Sequence, residues 1–284
     1  EDAKTYSCKT RGKLRLEVVR ETNPVAVGDR VLFDPGSDIG SILEILPRDN
    51  HILRQSVKKT GHSHVLAANV DQVLLVVTLA YPRTSLGFID RFLVSAESFR
   101  IPQIMVFNKR DILDGESLAY QQSIVELYES LAVRCLITDA LHDELLDLRD
   151  MLQGKITLVA GHSGVGKSTI LNQLSPEIRQ KVGVVSDFSE KGTHTTTFAE
   201  MFPLNDATFV IDTPGIKEWG LADMSDQELS DYFPEMRARR SDCRFGAKCI
   251  HLNEPSCAIV EAVRTGQIAL SRYESYLSIL SGGD

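Results

Sequence analysis

Residues 155–168 read KITLVAGHSGVGKS, an apolar run that breaks at Gly161 into a glycine-spaced loop closed by Lys167 and Ser168. The run has the Ile/Leu/Val content of a strand covered on both faces, and KSTILNQL at the end of the loop has the apolar spacing of a helix. A loop of the form G-x-x-x-x-G-K-[ST] between strand and helix is a phosphate cradle. Its glycines let backbone N–H groups close around the oxygens, and the helix N-terminus adds partial positive charge. Lys167 is expected to set a point charge on the β and γ phosphates, which gives it a catalytic part, and Ser168 to offer its hydroxyl to Mg²⁺. The nucleotide-binding set expected here is Gly161, Ser163, Gly164, Val165, Gly166, Lys167, Ser168 and Thr169.

The sequence on both sides supplies the rest of an α/β sheet. VDQVLLVVTLA, IPQIMVFN, RCLITDA and ATFVIDT are further buried-strand runs, and IDRFLVSAESF and LAYQQSIVELYESLA read as amphipathic helices between them. This alternation predicts a doubly wound sheet with its ligand at the carboxyl ends of the strands. Two of those ends carry chemistry. Asp212-Thr213-Pro214-Gly215 closes ATFVI, where a D-x-x-G places Asp212 near Mg²⁺, usually through water, and the Gly215 N–H near the γ phosphate. Asn108-Lys109-Arg110-Asp111 closes IPQIMVF and fits N-K-x-D. A carboxylate at Asp111 accepts from guanine N1–H and the exocyclic amine, whereas adenine N1 is itself an acceptor, so the loop selects GTP and GDP. Lys109 can lay its stem along the base and Asn108 can tie this loop to the phosphate cradle. A supporting base contact is expected around Thr138 and Asp139.

The order of these motifs is reversed. Ordinary GTPases place the phosphate loop before N-K-x-D, and a circular permutation of the sheet can move the chain ends while every strand and site stays in place. Between the two phosphate-sensing motifs lies KGTHTTT, residues 191–197, where a switch should supply a threonine to Mg²⁺; Thr195 and Thr196 are both candidates. Residue 216 is Ile, where Ras-type GTPases carry a water-orienting Gln. His194 is then the nearby side chain with the acid–base range for catalysis, against the simpler reading of a solvated loop histidine.

The flanks differ from this middle. From Arg11 to His62 the short alternating segments KLRLEVV, DRVLFD and GSILEILP, separated by turn signals, suit a small OB-fold β-barrel. Near the other end, Cys243-x₅-Cys249-x-His251-x₅-Cys257 offers three thiolates and an imidazole, a set that suits one closed, tetrahedral, structural Zn²⁺ in a small helical domain. The expected division is a barrel over 1–67, a circularly permuted P-loop GTPase domain over 68–221 and a zinc-binding domain over 222–284. With 43 % apolar and 25 % charged residues the 284-residue chain is not a disordered one. No apolar run approaches the ~20 residues that cross a bilayer, so a cytoplasmic protein without a membrane partner is expected. A net charge of −8 argues against indiscriminate nucleic-acid binding. Two basic clusters, Lys4 to Arg20 and Arg237 to Lys248, keep a local RNA contact in play.

The succession of barrel, NKRD, GHSGVGKS, GTHTTT, DTPG and C-x₅-C-x-H-x₅-C resembles the RsgA (YjeQ) family of circularly permuted GTPases over nearly the whole chain. The resemblance implies a role in maturing the small ribosomal subunit, contact of both outer domains with its rRNA, and zinc on Cys243, Cys249, His251 and Cys257. It also implies slow intrinsic turnover stimulated by the subunit, release on hydrolysis, and His194 as the catalytic candidate. A monomer is expected.

Overall fold

Among the described residues, five short strands precede the large sheet. β1 (Cys8–Thr10), β2 (Val31–Asp34) and β3 (Gly40–Ile45) form one ladder in the order β1-β3-β2, with β1 parallel and β2 antiparallel to β3. β4 (His51–Gln55) and β5 (Ser63–Ala68) pair antiparallel, and an isolated parallel bridge pairs Val27, in the segment leading into β2, with Ala67 of β5. The structure, a computed structural model, describes residues 4–11, 25–55, 63–175, 199–213 and 224–282. The expected strand KLRLEVV lies outside these residues, while DRVLFD and GSILEILP contain β2 and β3. Ile52 and Ala67 are fully buried and belong to the same apolar cluster as the large sheet. The seam is sealed by Asn50, whose Nδ2 donates to the Val70 carbonyl (2.8 Å) while its Oδ1 accepts from Val70 N (2.9 Å).

The large sheet contains β6 (Gln72–Val77), β7 (Gln103–Phe107), β8 (Arg134–Ile137), β9 (Ile156–Ala160), β10 (Glu200–Asn205) and β11 (Thr208–Asp212), ordered β10-β11-β9-β6-β7-β8. Every pairing is parallel except that of the edge strand β10 with β11. Counted from β9, the strands run second, third, first, fourth, fifth, sixth across the sheet, so moving the chain ends leaves a continuous sheet. From β6 the chain proceeds toward β7 on one side, and from β9 toward β11 on the other. The crevice at the carboxyl ends of β6 and β9 is therefore the topological switch point, where such sheets hold ligands.

Alternating side chains send neighbours in each strand to opposite faces. Val73, Leu75 and Val77 pack with Ile89 and Phe92 of α1 (Leu86–Ser98) and Tyr128 of α2 (Gly115–Ser130). Leu74 and Val76 pack with Leu148 and Leu152 of α3 (Leu146–Leu152) and Ile170 and Leu171 of α4 (Lys167–Leu174). Burial on both faces is why these strands read as unbroken apolar runs. α1 and α2 start at N-caps: the Ser85 hydroxyl accepts from Phe88 N (3.2 Å) and the Asp114 carboxylate from Ser117 N (2.8 Å), each contributing about 1 kcal/mol.

The C-terminal unit is a set of short helices, α5 (Asp226–Leu229), α6 (Pro234–Arg237), α7 (Ala258–Arg264) and α8 (Leu270–Leu280). Phe233, Met236, Ile259 and Tyr276 form its core, which Val94 of α1 completes. Its junction with the sheet domain is ionic as well as apolar. Arg272 on α8, 1 % exposed, donates from Nη1 to Asp90 Oδ1 on α1 (2.5 Å) and from Nε to Glu235 Oε1 (2.7 Å). Asp90, itself fully buried, also accepts from the Tyr128 hydroxyl (2.8 Å). Removing one partner of such a pair strands a buried charge, at a cost of about 3–5 kcal/mol.

Candidate functional site

The motif-bearing loops at 108–111, 138–143 and 161–168 each leave the carboxyl end of a strand. The phosphate-type loop follows β9 and needs glycine at two places for steric reasons. A Cβ on Gly161, φ +145°, would lie 2.3 Å from the Val76 carbonyl oxygen, and one on Gly166, φ +99°, would lie 2.2 Å from Asn108 Nδ2. At these two positions the loop passes β6 and the 108–111 loop with no room for a side chain. Val165 is buried beneath it, whereas Ser163, Gly164 and Ser168 are exposed and Thr169 is half-buried at the first turn of α4. Lys167 folds back over the loop, its Nζ donating to the Gly161 (2.6 Å) and His162 (2.7 Å) carbonyls. Burial lowers the Lys167 ammonium from its usual value while the charge of Asp212 raises it. For Asp212, at the end of β11, burial raises the carboxyl and Lys167 lowers it. Asp212 Oδ1 is buried without a partner among the described residues, and the exposed Ser168 lies in the first turn of α4. The Asp212 carboxylate and the Ser168 hydroxyl are oxygen donors of the type that suits a hard cation such as Mg²⁺.

Asn108 joins the loops. Its Nδ2 donates to the Val165 carbonyl (2.9 Å), and its Oδ1 accepts from Thr138 Oγ1 (3.1 Å) and Ala140 N (3.0 Å). One side chain, 3 % exposed, therefore fixes the loops after β7, β8 and β9 against one another. Lys109 sits in the left-handed region, φ +64°, and its ammonium donates to the Tyr81 carbonyl (2.8 Å). Asp111 lies exposed at the crevice mouth on a single 3₁₀ turn, Arg110–Ile112. Beside it Asp139 and Asp143 order the β8 loop: Asp143 Oδ2 accepts from Asp139 N (2.6 Å), and Asp139 Oδ1 from Leu141 N (3.1 Å). The expected Asn108 tie is present, and Thr138 stands at the same junction. His194, Thr195, Thr196, Gly215 and Ile216 lie outside the described residues.

Two neighbours of this site were not anticipated. The ring of Phe88 on α1 lies on that of His162, with centroids 3.9 Å apart, and burial followed by the Lys167 charge lowers the His162 pKa. Tyr81, the partner of Lys109, is in the loop after β6. Its position in TLAYPRTS, directly after a buried-strand run, was the available signal, since the carboxyl end of any strand beside the switch point borders the crevice.

The second site is the Cys₃His cluster. Cys243, Cys249, His251 and Cys257 are all buried, and their ligand atoms lie within 4.8 Å of one another. Sulfur–sulfur distances of 3.9 Å (Cys243 to Cys257) and 3.8 Å (Cys249 to Cys257) match the edge of about 3.8 Å that a tetrahedron with Zn–S near 2.3 Å requires. His251 presents Nδ1 at 3.7 Å from Cys243 and 3.4 Å from Cys257. Burial raises the Cys257 thiol, while the Val260 and Ile259 N–H groups at the start of α7 lower it. The loop is pinned by Tyr273 and Tyr276, whose hydroxyls donate to the carbonyls of His251 (2.6 Å) and Ile250 (2.7 Å). The cluster has the composition and spacing of a zinc site.

The basic cluster near it is only partly available to a partner. Arg237 pairs with Glu97 (2.6 Å) and Arg240 with Asp231, whereas Arg244, lying over the Phe245 ring, and Lys248 are exposed. At the other end Lys4, Lys9 and Arg11 are exposed, and Lys13, Arg15 and Arg20 lie outside the described residues.

Comparison with known proteins adds to this geometry. The profile of the family described as RsgA GTPase matches residues 45–222. A Bacteroides fragilis protein named small ribosomal subunit biogenesis GTPase RsgA is 46 % identical over 282 residues, covering 99 % of this chain and 91 % of its own. One of the same name from Christiangramia forsetii is 44 % identical over 287 residues, with the same coverages. Among solved structures, YjeQ from Thermotoga maritima superposes with a TM-score of 0.75 at 36 % identity, covering 97 % of this chain and 88 % of that one. YloQ, described as a circularly permuted GTPase, gives 0.74 at 30 % identity over 99 % of this chain and 88 % of its own.

Proposed function

The chain belongs to the RsgA GTPase family, and on that footing we propose that it hydrolyses GTP while bound to a maturing small ribosomal subunit and leaves the subunit after hydrolysis. Membership makes it a GTPase of the circularly permuted kind, and small ribosomal subunit biogenesis is the task in the names of its relatives. The observation that carries the reading is Asn108, which holds the base-reading, phosphate-binding and β8 loops around one crevice.

In the proposed complex Asp111 accepts from the guanine edge, Lys109 lies along the base, and the loop at Thr138 supports it. The residues from Gly161 to Thr169 surround the phosphates, with Lys167 turning from the loop carbonyls toward the β and γ oxygens. Mg²⁺ would be held by Ser168 and Asp212 and by Thr195 or Thr196, and would supply positive charge against the phosphate oxygens. Catalysis of phosphoryl transfer is mostly positioning and charge stabilisation. The water oxygen bonds to the γ phosphorus, the bond to the β–γ bridging oxygen breaks, and GDP departs with that oxygen. His194 is assigned to orient the water and receive its proton, because Ile216 has no polar atom to do so, and the Gly215 N–H is assigned a contact with the γ phosphate. Zinc on Cys243, Cys249, His251 and Cys257 is structural, since four protein ligands close the tetrahedron. The exposed Lys4, Lys9, Arg11, Arg244 and Lys248 are the surfaces offered to rRNA. The protein acts as a monomer in the cytoplasm, organised as barrel 1–67, GTPase domain 68–221 and zinc-binding domain 222–284.

The test is GTP turnover measured with and without purified small subunits. Stimulation by the subunit is expected; equal rates would refute the ribosome-linked reading while leaving GTP binding intact.

A further inference from the structure

Tyr81 is 81 % exposed, a large aromatic ring held in solvent at the rim of the crevice. Its backbone is not loose. The Tyr81 carbonyl accepts from Lys109 Nζ (2.8 Å), the Pro82 carbonyl from the Thr78 hydroxyl, and the loop is closed by Thr84 N donating to the Thr78 carbonyl (2.8 Å) and Thr78 N to Thr84 Oγ1 (3.2 Å). Thr78 and Thr84 are buried at 1 % and 2 %. On its other side the loop abuts the phosphate cradle, with Pro82 Cδ 3.5 Å from where a Cβ on Gly164 would stand. Residues 78–84 thus bridge Lys109 of the base-reading loop and Gly164 of the phosphate loop, and carry an aromatic ring at that bridge.

A guanine nucleotide with its phosphates on the loop from Gly161 to Ser168 and its base at Asp111 must run past this bridge. We propose that Tyr81 is a nucleotide-binding residue, its ring closing over the guanosine portion of the bound nucleotide. The inference rests on the reading of those two loops as opposite ends of one nucleotide site. Planar aromatic contact with a base is tolerant of sequence and hydrogen bonding, so Tyr81 adds affinity and leaves the choice of guanine to Asp111.

The experiment is calorimetric titration of the full chain with GDP for wild type, Tyr81→Ala and Tyr81→Phe, with inorganic pyrophosphate as a probe lacking base and sugar. Stacking of this kind corresponds to roughly tenfold in affinity. Tyr81→Ala should bind GDP about tenfold more weakly, Tyr81→Phe should match wild type, and pyrophosphate should bind all three alike. Equal GDP affinity for wild type and Tyr81→Ala overturns the proposal, as does an equal loss toward pyrophosphate, which would mean a deformed phosphate loop. Unchanged GDP affinity with lost stimulation by small subunits also overturns it, making the ring a partner contact. A wild-type chain that fails to bind GDP sinks the parent reading of the site itself.

Discussion

Replacing Asn108 by Asp changes one atom of the group that ties three loops together, and its effect can be worked through bond by bond. The acceptor arm survives, because a carboxylate oxygen can still receive Thr138 Oγ1 and Ala140 N. The donor arm is lost, and the Val165 carbonyl, now 2.9 Å from an oxygen, has no hydrogen to accept. An unsatisfied buried polar group costs about 1–3 kcal/mol, and repulsion between the two oxygens adds to it. Because that bond sets the distance between the loops after β7 and β9, the loss should appear in GDP binding as roughly 5- to 150-fold weaker affinity. The urea midpoint should fall as well. The position is 3 % exposed, so burial raises the new carboxyl's pKa above its unfolded value. Its protonated form can donate to the Val165 carbonyl. The sign follows: the defect is smallest at pH below the unfolded pKa and grows as pH rises through the raised folded value. Calorimetry with GDP and urea unfolding at several pH values measure both quantities. Wild-type affinity and a wild-type midpoint at neutral pH would show that this bond does not hold the loops together.

Cys249→Ala should release the zinc, read by elemental mass spectrometry as a fall from one ion per chain to none, together with a lower melting temperature; wild-type protein purified without zinc would contradict the assignment. Burial and then the charge of Lys167 lower the His162 pKa, so its neutral form is favoured in the folded state. That contribution is complete above the unfolded value of 6.5 and is lost as pH falls through the lowered folded one. Urea midpoints of the wild type should therefore drop more on acidification than those of His162→Gln, and parallel pH profiles would count against it.

What was legible in the sequence followed the physics of burial. β6, β7, β9 and β11 are covered on both faces and so read as plain apolar runs. β10 was missed because EMFPLN is an edge strand with a proline and only Phe202 buried, which breaks both the apolar run and strict alternation. α3, at seven residues, is too short for its periodicity to stand out. The site's motifs were legible because each needs fixed residue types at fixed spacing, and Asn108 meets the phosphate loop as its chemistry suggested. Arg272 and Asp90 were not, since a charge on an amphipathic helix reads as solvated and its partner stands 182 residues away. Arg237 and Arg240 illustrate the converse: in a basic cluster whose sequence only kept a local RNA contact in play, these two side chains are engaged by Glu97 and Asp231.

The shared ion pair of Arg272 and Asp90 has an evolutionary corollary. α1 belongs to the nucleotide-binding sheet by sequence, and its Phe88 rests on the phosphate loop; two positions later it places a carboxylate in the fully buried grip of a helix from the last unit of the chain. A segment that neutralises a charge inside its neighbour cannot be shed, swapped or recombined as a cassette without leaving that charge stranded. Whatever the route by which the parts came together, Asp90 and Arg272 now make their union heritable only as a whole.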